Sequence, residues 1–216
     1  MDHISGEPIY EALFDELILR VISSEMKFIK FVVLLAALSL AACSSNTSSR
    51  GSFIENDATN YLMPKCPQSD IAADKSRNQI AAAVLQCLGH DQMVNLAGLP
   101  SDRPLVISLW ASWCTVCADD AVAFNAAFKK LNGQVNFLGI AYQDKEKDSI
   151  AAAYKWQLPF PSVQDPRSLL RDYYSINGLP ITLLLDKNGK LVERIIGPVG
   201  SPADFINRVT GKLISY

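Results

Sequence analysis

The sequence of 216 residues has little of what marks several large classes of protein. It has two histidines, no cluster of Lys and Arg, and a formal net charge of -2. A nucleic-acid-binding surface needs clustered positive charge, so we expect no nucleic-acid partner. No nucleotide, flavin or metal motif is visible, so we expect no bound cofactor. The apolar run from Phe31 covers about a dozen residues, whereas a membrane-spanning helix needs roughly 20, so a transmembrane anchor is the weaker interpretation.

Residues 26–42 have the layout of a secretory signal peptide. Lys27 and Lys30 precede the apolar run, and small residues lead to Cys43. The letters LAAC that end at Cys43 resemble a bacterial lipobox, in which the cysteine is diacylated and becomes the first mature residue. Two acyl chains would hold the protein on the outer face of the membrane. The alternative is an ordinary cleaved signal in which Cys43 is incidental.

The segments on either side of this signal have different compositions. Residues 1–25 carry six acidic side chains and one arginine, which does not suit a signal, so we interpret them as an upstream extension of a chain that starts at Met26. A short amphipathic helix is the alternative. Residues 43–60 are polar and rich in serine, which predicts a flexible tether. Residues 61–216 are then expected to form one domain.

Five cysteines are an odd number for an exported protein until Cys43 is assigned to lipid. The remaining four are even in number, and an extracytoplasmic compartment permits disulfides. Cys114 and Cys117 form one obvious pair. We therefore predict a structural bridge between Cys66 and Cys87.

The main domain alternates strand and helix patterns. Continuous apolar runs predict buried strands, and apolar residues at helical spacing, Val116 and Phe124 among them, predict helices. The predicted elements are a short helix at 80–87, a strand at 93–96, a strand at 104–110, a helix at 115–131, a strand at 134–143, helices at 145–158 and 165–174, a hairpin at 181–197 and a helix at 201–214. This order predicts an α/β sandwich, a mixed sheet with helices on both faces.

The spacing of Cys114 and Cys117 predicts a redox-active pair. A buried strand ends and a helix begins at Cys114, and unpaired N–H groups at a helix N-terminus favour a thiolate there. Cys114 is thus the expected nucleophile, and Cys117, one turn later, is placed to attack a mixed disulfide. Zinc binding with Cys87 and His90, and an inert bridge, are the alternatives.

The segments WASWCTVC and GLPIT resemble the thioredoxin family, and more narrowly the exported, membrane-tethered TlpA/ResA-like thiol-disulfide oxidoreductases. The resemblance implies a three-layer thioredoxin-like sandwich, with a cis-proline at Pro180 and a substrate contact at Leu179. We expect Trp113 to shield the disulfide and to contact substrate. Asp120 stands where this branch often carries an acid that relays the proton of the buried thiol. It would otherwise only complement the helix dipole.

The function expected from this resemblance is an enzyme without a cofactor other than its own disulfide. It would be a lipid-anchored extracytoplasmic monomer that takes electrons from a membrane donor and reduces exported protein disulfides, such as the CxxCH of apocytochrome c. The Thr115–Val116 pair between the cysteines and Val122 depart from the usual reductase pattern. A disulfide-forming oxidase or isomerase and a non-catalytic scaffold lipoprotein are therefore the alternatives.

Overall fold

The structure, a computed structural model, describes residues 62–74, 80–100 and 102–214. Its strands are β1 (Val84–Cys87), β2 (Met93–Asn95), β3 (Leu105–Trp110), β4 (Asn136–Tyr142), β5 (Ser162–Asp165), β6 (Ile181–Leu185) and β7 (Leu191–Ile196). Its α-helices are α1 (Thr115–Leu131), α2 (Glu146–Trp156) and α3 (Pro202–Leu213). The predictions for residues 1–25, 26–42 and 43–60, including Cys43, lie outside the described residues.

The strands form one mixed sheet in the order β2-β1-β5-β4-β3-β6-β7. Strand β3 pairs in parallel with β4 and antiparallel with β6, and all six of its residues are buried. This is what a continuous apolar run predicts for a strand that is covered on both faces. Strand β3 thus lies inside the sheet with a paired strand on each side, and the turn that follows it starts from a buried strand.

Two separate apolar clusters cover the two faces of the sheet. All three α-helices contribute to the first, through side chains such as Phe124, Ala153 and Phe205. Consecutive residues of β3 alternate between the clusters, as side chains of a strand must. Non-helical chain, including Tyr174 and Ile176, contributes to the second cluster. The predicted α/β class with a mixed sheet is confirmed, with the difference that turns build much of the second layer.

Residues 62–74, which we call the N-terminal strap, are held against the sheet by covalent and polar links. Cys66 and Cys87 form the predicted disulfide. The buried amide of Asn95 donates to the carbonyl oxygens of Ile71 at 3.0 Å and Ala73 at 2.8 Å. The strap is thus fixed to β1 by sulfur and to the end of β2 by hydrogen bonds.

Two local predictions are wrong. The helix expected at 80–87 is replaced by β1, in which Leu85 and Cys87 are buried while Val84 and Gln86 are not. The helix expected at 165–174 is replaced by the last residue of β5 and a series of turns. Ser168 has a φ of 60° and Ser175 a φ of 46°, and this left-handed backbone interrupts helical geometry.

Candidate active site

The Cys114–Cys117 disulfide lies where β3 ends and α1 begins. Cys114 is the N-cap of α1, and its Sγ accepts a hydrogen bond of 3.2 Å from the N–H of Cys117. The N–H of Cys114 donates to the carbonyl of Ala111 at 3.0 Å, which closes the turn between strand and helix. Cys114 is 6% and Cys117 4% exposed. The two sulfurs therefore sit at the positive end of α1 with little access to water.

Trp113 covers the surface of this turn. Its side chain is 57% exposed, and its indole Nε1 donates to the carbonyl of Gln143 at 3.1 Å. Trp110, at the end of β3, is buried and makes an edge contact with Trp156 at a ring-centroid distance of 5.3 Å. Trp110 thus belongs to the core, whereas Trp113 is exposed.

Asp120 lies in α1 one turn after Cys117, on the same side of the helix, and it is buried. Its Oδ1 accepts from the N–H of Val199 at 3.0 Å, and its Oδ2 has no hydrogen-bond partner within the described residues. Burial raises the pKa of this carboxyl, and the nearby Asp119 adds to the shift while the Val199 bond opposes it. A raised pKa makes this carboxylate a better proton acceptor than an exposed aspartate.

The chain returns to the same end of the sheet at Pro180. The Leu179–Pro180 peptide bond is cis, as predicted, and the Pro180 carbonyl accepts from the N–H of Gly197 at 3.0 Å. The next residue, Ile181, pairs with Leu109 on one side and with Ile196 on the other. The end of β3, the start of β6 and the end of β7 therefore meet beside the disulfide. Leu179 is half-buried there and packs against both apolar clusters.

Exposed apolar side chains lie near the site, together with the exposed polar residues Thr115 and Asp119. Val116 is exposed, although its spacing predicted a place on the buried face of α1; in the same turn it is Cys117 that is buried. Ile196, beside the cis-proline turn, is 74% exposed. A cavity of about 370 Å³ lies at the opposite end of the sheet, near the starts of β3 and β4, and contains none of the predicted site residues.

The four described cysteines are all used in the two disulfides. Zinc binding by Cys114 and Cys117 would require these sulfurs as free thiolates. Within the described residues no group of three or more His, Cys, Asp and Glu side chains could hold a metal ion. In the same part of the chain, no helix has the length and apolar character needed to cross a bilayer.

Comparison with known proteins decides the family. A sequence model described as the AhpC/TSA family matches residues 77–194, more than half of the chain. The chain belongs to the AhpC/TSA family. A relative of this family member is the thiol-disulfide oxidoreductase ResA of Bacillus cereus, 26% identical over 129 residues, which are 58% of this chain and 74% of ResA.

The chain is similar to two further proteins. The thiol:disulfide interchange protein DsbE of Vibrio cholerae is 28% identical over 100 residues, covering 46% of this chain and 53% of DsbE. A secreted Mycobacterium tuberculosis disulfide oxidoreductase, described as homologous to E. coli DsbE, has a TM-score of 0.54 and 20% identity over 60% of this AhpC/TSA chain and 96% of its own. The thioredoxin-like fold and the enzyme class, a thiol-disulfide oxidoreductase, are confirmed.

Most of the residues at this site were predicted from the sequence, and one was not. Cys114, Cys117 and Asp120 share the start of α1, and Trp113 and Pro180 border it. Asp144, at the end of the loop after β4, was not predicted, although its side chain binds the turn before the disulfide. Its partner Ser112 is 32 residues away in sequence, so no local pattern could have shown the contact.

Proposed function

We propose that the protein is a lipid-anchored extracytoplasmic enzyme that reduces disulfides of exported proteins by dithiol-disulfide exchange at Cys114 and Cys117. The observation that carries the proposal is the position of Cys114 as the N-cap of α1, with the Cys117 N–H directed at its sulfur. A helix N-terminus that donates to sulfur stabilises a thiolate and so makes it both a nucleophile and a good leaving group.

Exchange proceeds in two steps that transfer two electrons. The Cys114 thiolate of the reduced enzyme attacks one sulfur of the substrate disulfide, forms a mixed disulfide and releases the other substrate sulfur, which takes up a proton. Cys117 then loses its proton and attacks the Cys114 sulfur, which releases the second substrate thiol and leaves the enzyme oxidised. A dithiol donor at the membrane restores the reduced enzyme by the reverse exchange.

Asp120 is proposed to accept the proton of Cys117 in the second step. It is buried on the same side of α1 one turn later, and one of its oxygens makes no hydrogen bond with the described residues. Its raised pKa suits transient protonation. An Asp120→Asn variant keeps the acceptor for Val199 and loses the base, so resolution of the mixed disulfide should slow while its formation by Cys114 is unchanged.

The substrate is proposed to be a polypeptide. Trp113, Val116 and Ile196 are exposed apolar side chains on the segments that meet beside the buried disulfide, and the cavity of about 370 Å³ lies elsewhere. Exposed apolar side chains around a reactive group fit an extended apolar segment of a partner chain. The CxxCH segment of an apocytochrome c is one such target, with Leu179 and Pro180 contacting its backbone. An exposed turn also suits action by a monomer on partners of different shapes.

The direction of electron flow is tested by the reduction potential of the Cys114/Cys117 couple in glutathione or dithiothreitol buffers. A value near that of thioredoxin, about -270 mV, supports the reductase, and a value near that of DsbA, about -120 mV, supports the oxidase or isomerase. The wild-type enzyme should reduce insulin, and the Cys114→Ser variant should not. No exchange in either direction would favour the scaffold lipoprotein, and rapid turnover of hydrogen peroxide would favour a thiol peroxidase.

The anchor is tested separately, by mass spectrometry of the protein extracted from bacterial membranes. A diacylated N-terminal Cys43 supports the lipoprotein. A mature chain that begins elsewhere, or that is released in full to the medium, contradicts it.

A further inference from the structure

A carboxylate outside the predicted site, Asp144, lies at the centre of a hydrogen-bond cluster that includes the active-site turn. We propose that Asp144 is a positioning residue for disulfide exchange, whose carboxylate fixes the turn that carries Trp113 and Cys114. The inference rests on the proposed function, in which Cys114 is the exchanging sulfur. Its structural basis is independent of the identity of the substrate.

The carboxylate of Asp144 accepts four hydrogen bonds and is buried. Oδ2 accepts from the N–H of Ser112 at 2.6 Å and from the hydroxyl of Ser149 at 2.8 Å. Oδ1 accepts from the hydroxyl of Ser112 at 2.8 Å and from the N–H of Lys145 at 2.9 Å. Each oxygen therefore binds one backbone N–H and one hydroxyl. Four donors on a buried carboxylate form a strong and geometrically defined set.

These bonds join the active-site turn to the start of α2. Ser112 stands two residues before Cys114, and Ser149 and Lys145 belong to the first turn of α2 and its N-cap. The residue between Ser112 and Cys114 is Trp113, whose indole binds the carbonyl of Gln143, the neighbour of Asp144. Gln143 and Asp144, in the loop after β4, thus hold Trp113 and Ser112 of the active-site turn.

The consequence for chemistry follows from the short path between these bonds and the sulfur. The N–H of Cys114 closes the same turn on Ala111, so the position of Ser112 fixes the N-cap of α1. Misplacing a reacting atom by about 1 Å costs up to about a hundredfold in rate. Loss of the Asp144 bonds should therefore change the reactivity of Cys114 without touching either sulfur.

An Asp144→Asn substitution tests this with almost no change in shape. Oδ1 faces the Lys145 N–H and Oδ2 faces the Ser112 N–H, and neither backbone group is able to accept a hydrogen bond. The two hydroxyls rotate to accept from an amide, but the backbone donors do not adapt. In either orientation of the asparagine amide, one backbone anchor of the cluster is lost.

Asp165 supplies a matched control. It is buried at the end of β5, and its two oxygens accept from the N–H groups of Leu169 at 2.8 Å and Leu170 at 3.0 Å. Asp165→Asn therefore creates the same conflict between an amide and a backbone N–H. Its backbone carbonyl accepts from Gln143, so the control lies near the loop, but the side-chain bonds given above stay within its own turn.

The experiment uses the full chain with Cys43→Ser in every variant, so that no unpaired thiol competes. The second-order rate of the reduced protein with glutathione disulfide is measured from pH 4 to 9. Acrylamide quenching reports the exposure of the three tryptophans, of which Trp113 is the most exposed. We expect Asp144→Asn to lower the rate about tenfold, to shift its pH profile and to increase quenching, and Asp165→Asn to stay within about twofold of the parent.

Two results would overturn the inference. The first is an Asp144→Asn exchange rate that stays within about twofold of the parent rate across the pH range, and the second is an equal decrease of the exchange rate in Asp165→Asn. If Asp144→Asn does not fold, the Ser112→Ala and Ser149→Ala double variant removes both hydroxyl donors and should slow exchange about threefold, and an unchanged rate would count against the proposal. If the parent does not exchange with glutathione disulfide, the proposed function fails. Acrylamide quenching then still decides whether Asp144 fixes the turn.

Discussion

Removal of the Cys66–Cys87 bridge should destabilise the fold more than removal of the active-site bridge does. The cysteines are 21 residues apart in sequence. For a loop of this size the chain-entropy relation gives an entropy loss of about 11 cal/mol/K in the unfolded chain. At 25 °C the bridge therefore raises the free energy of unfolding by about 3.3 kcal/mol. The same relation gives about 1.6 kcal/mol for the Cys114–Cys117 bridge, whose cysteines are 3 residues apart.

Alanine is the suitable replacement at both positions, because a serine would place a hydroxyl among the apolar side chains that surround Cys87. Urea unfolding of the oxidised protein measures the effect. With an m-value of about 2 kcal/mol/M, the Cys66→Ala/Cys87→Ala variant should lower the midpoint by roughly 1.5 M. The N-terminal strap keeps its hydrogen bonds to Asn95 and His90, so the native fold should persist in the absence of denaturant.

The matched control is Cys114→Ala/Cys117→Ala, which should lose about half as much stability and all exchange activity. The Cys66→Ala/Cys87→Ala variant should keep its exchange rate. Equal losses of stability in the two variants, or a larger loss in the active-site variant, would refute the assignment of the first bridge as the structural one. A first-bridge variant that is stable but cannot exchange disulfides would refute it as well.

Three further predictions concern buried groups. Burial raises the pKa of Asp120, so the contribution of this carboxyl to stability is fully present below its unfolded pKa of about 4 and is lost as pH rises through the folded pKa. Asp120→Asn should therefore be more stable than wild type in urea at pH 7 and lose that advantage near pH 3. Burial raises the pKa of Tyr174 to about 12, so wild-type stability should fall between about pH 10 and pH 12, and this slope should be smaller in Tyr174→Phe; an equal slope would contradict the prediction. Gly139→Ala would place a Cβ 2.1 Å from the hydroxyl of Ser162 and 2.7 Å from the indole nitrogen of Trp110, and should cost about 1–3 kcal/mol in unfolding free energy, whereas Gly178→Ala, which has nothing within 4 Å, should cost little.

The parts of the fold that the sequence predicted are those with a continuous or periodic apolar signal. Strand β3 and helices α1, α2 and α3 follow directly from such runs. Strand β5 was missed because its four residues are buried although three of them, Ser162, Gln164 and Asp165, are polar. The carboxylate of Asp165 is satisfied by N–H groups of its own turn, and no hydropathy pattern records bonds of this kind.

The errors elsewhere have similar causes. In β1 the strand period was present in the alternation at Leu85 and Cys87, but the alanines before it favoured a helix by propensity. At the site, Cys114 and Cys117 are three residues apart in sequence and were predicted together. Asp144 meets its partner only through folding, so its role required coordinates.

The N-terminal strap also determines how the domain responds to mechanical load. A pull transmitted from residues before the strap reaches the buried Met63 and its hydrogen bond to His90 and then Cys66, where the disulfide passes it to β1. Strand β1 is separated from β3 by β5 and β4 in the sheet. Tension of this kind is therefore carried by a covalent bond into the lateral strands and bypasses the turn at Cys114. The geometry of the reacting sulfurs should be insensitive to stretching of the segment that precedes the domain.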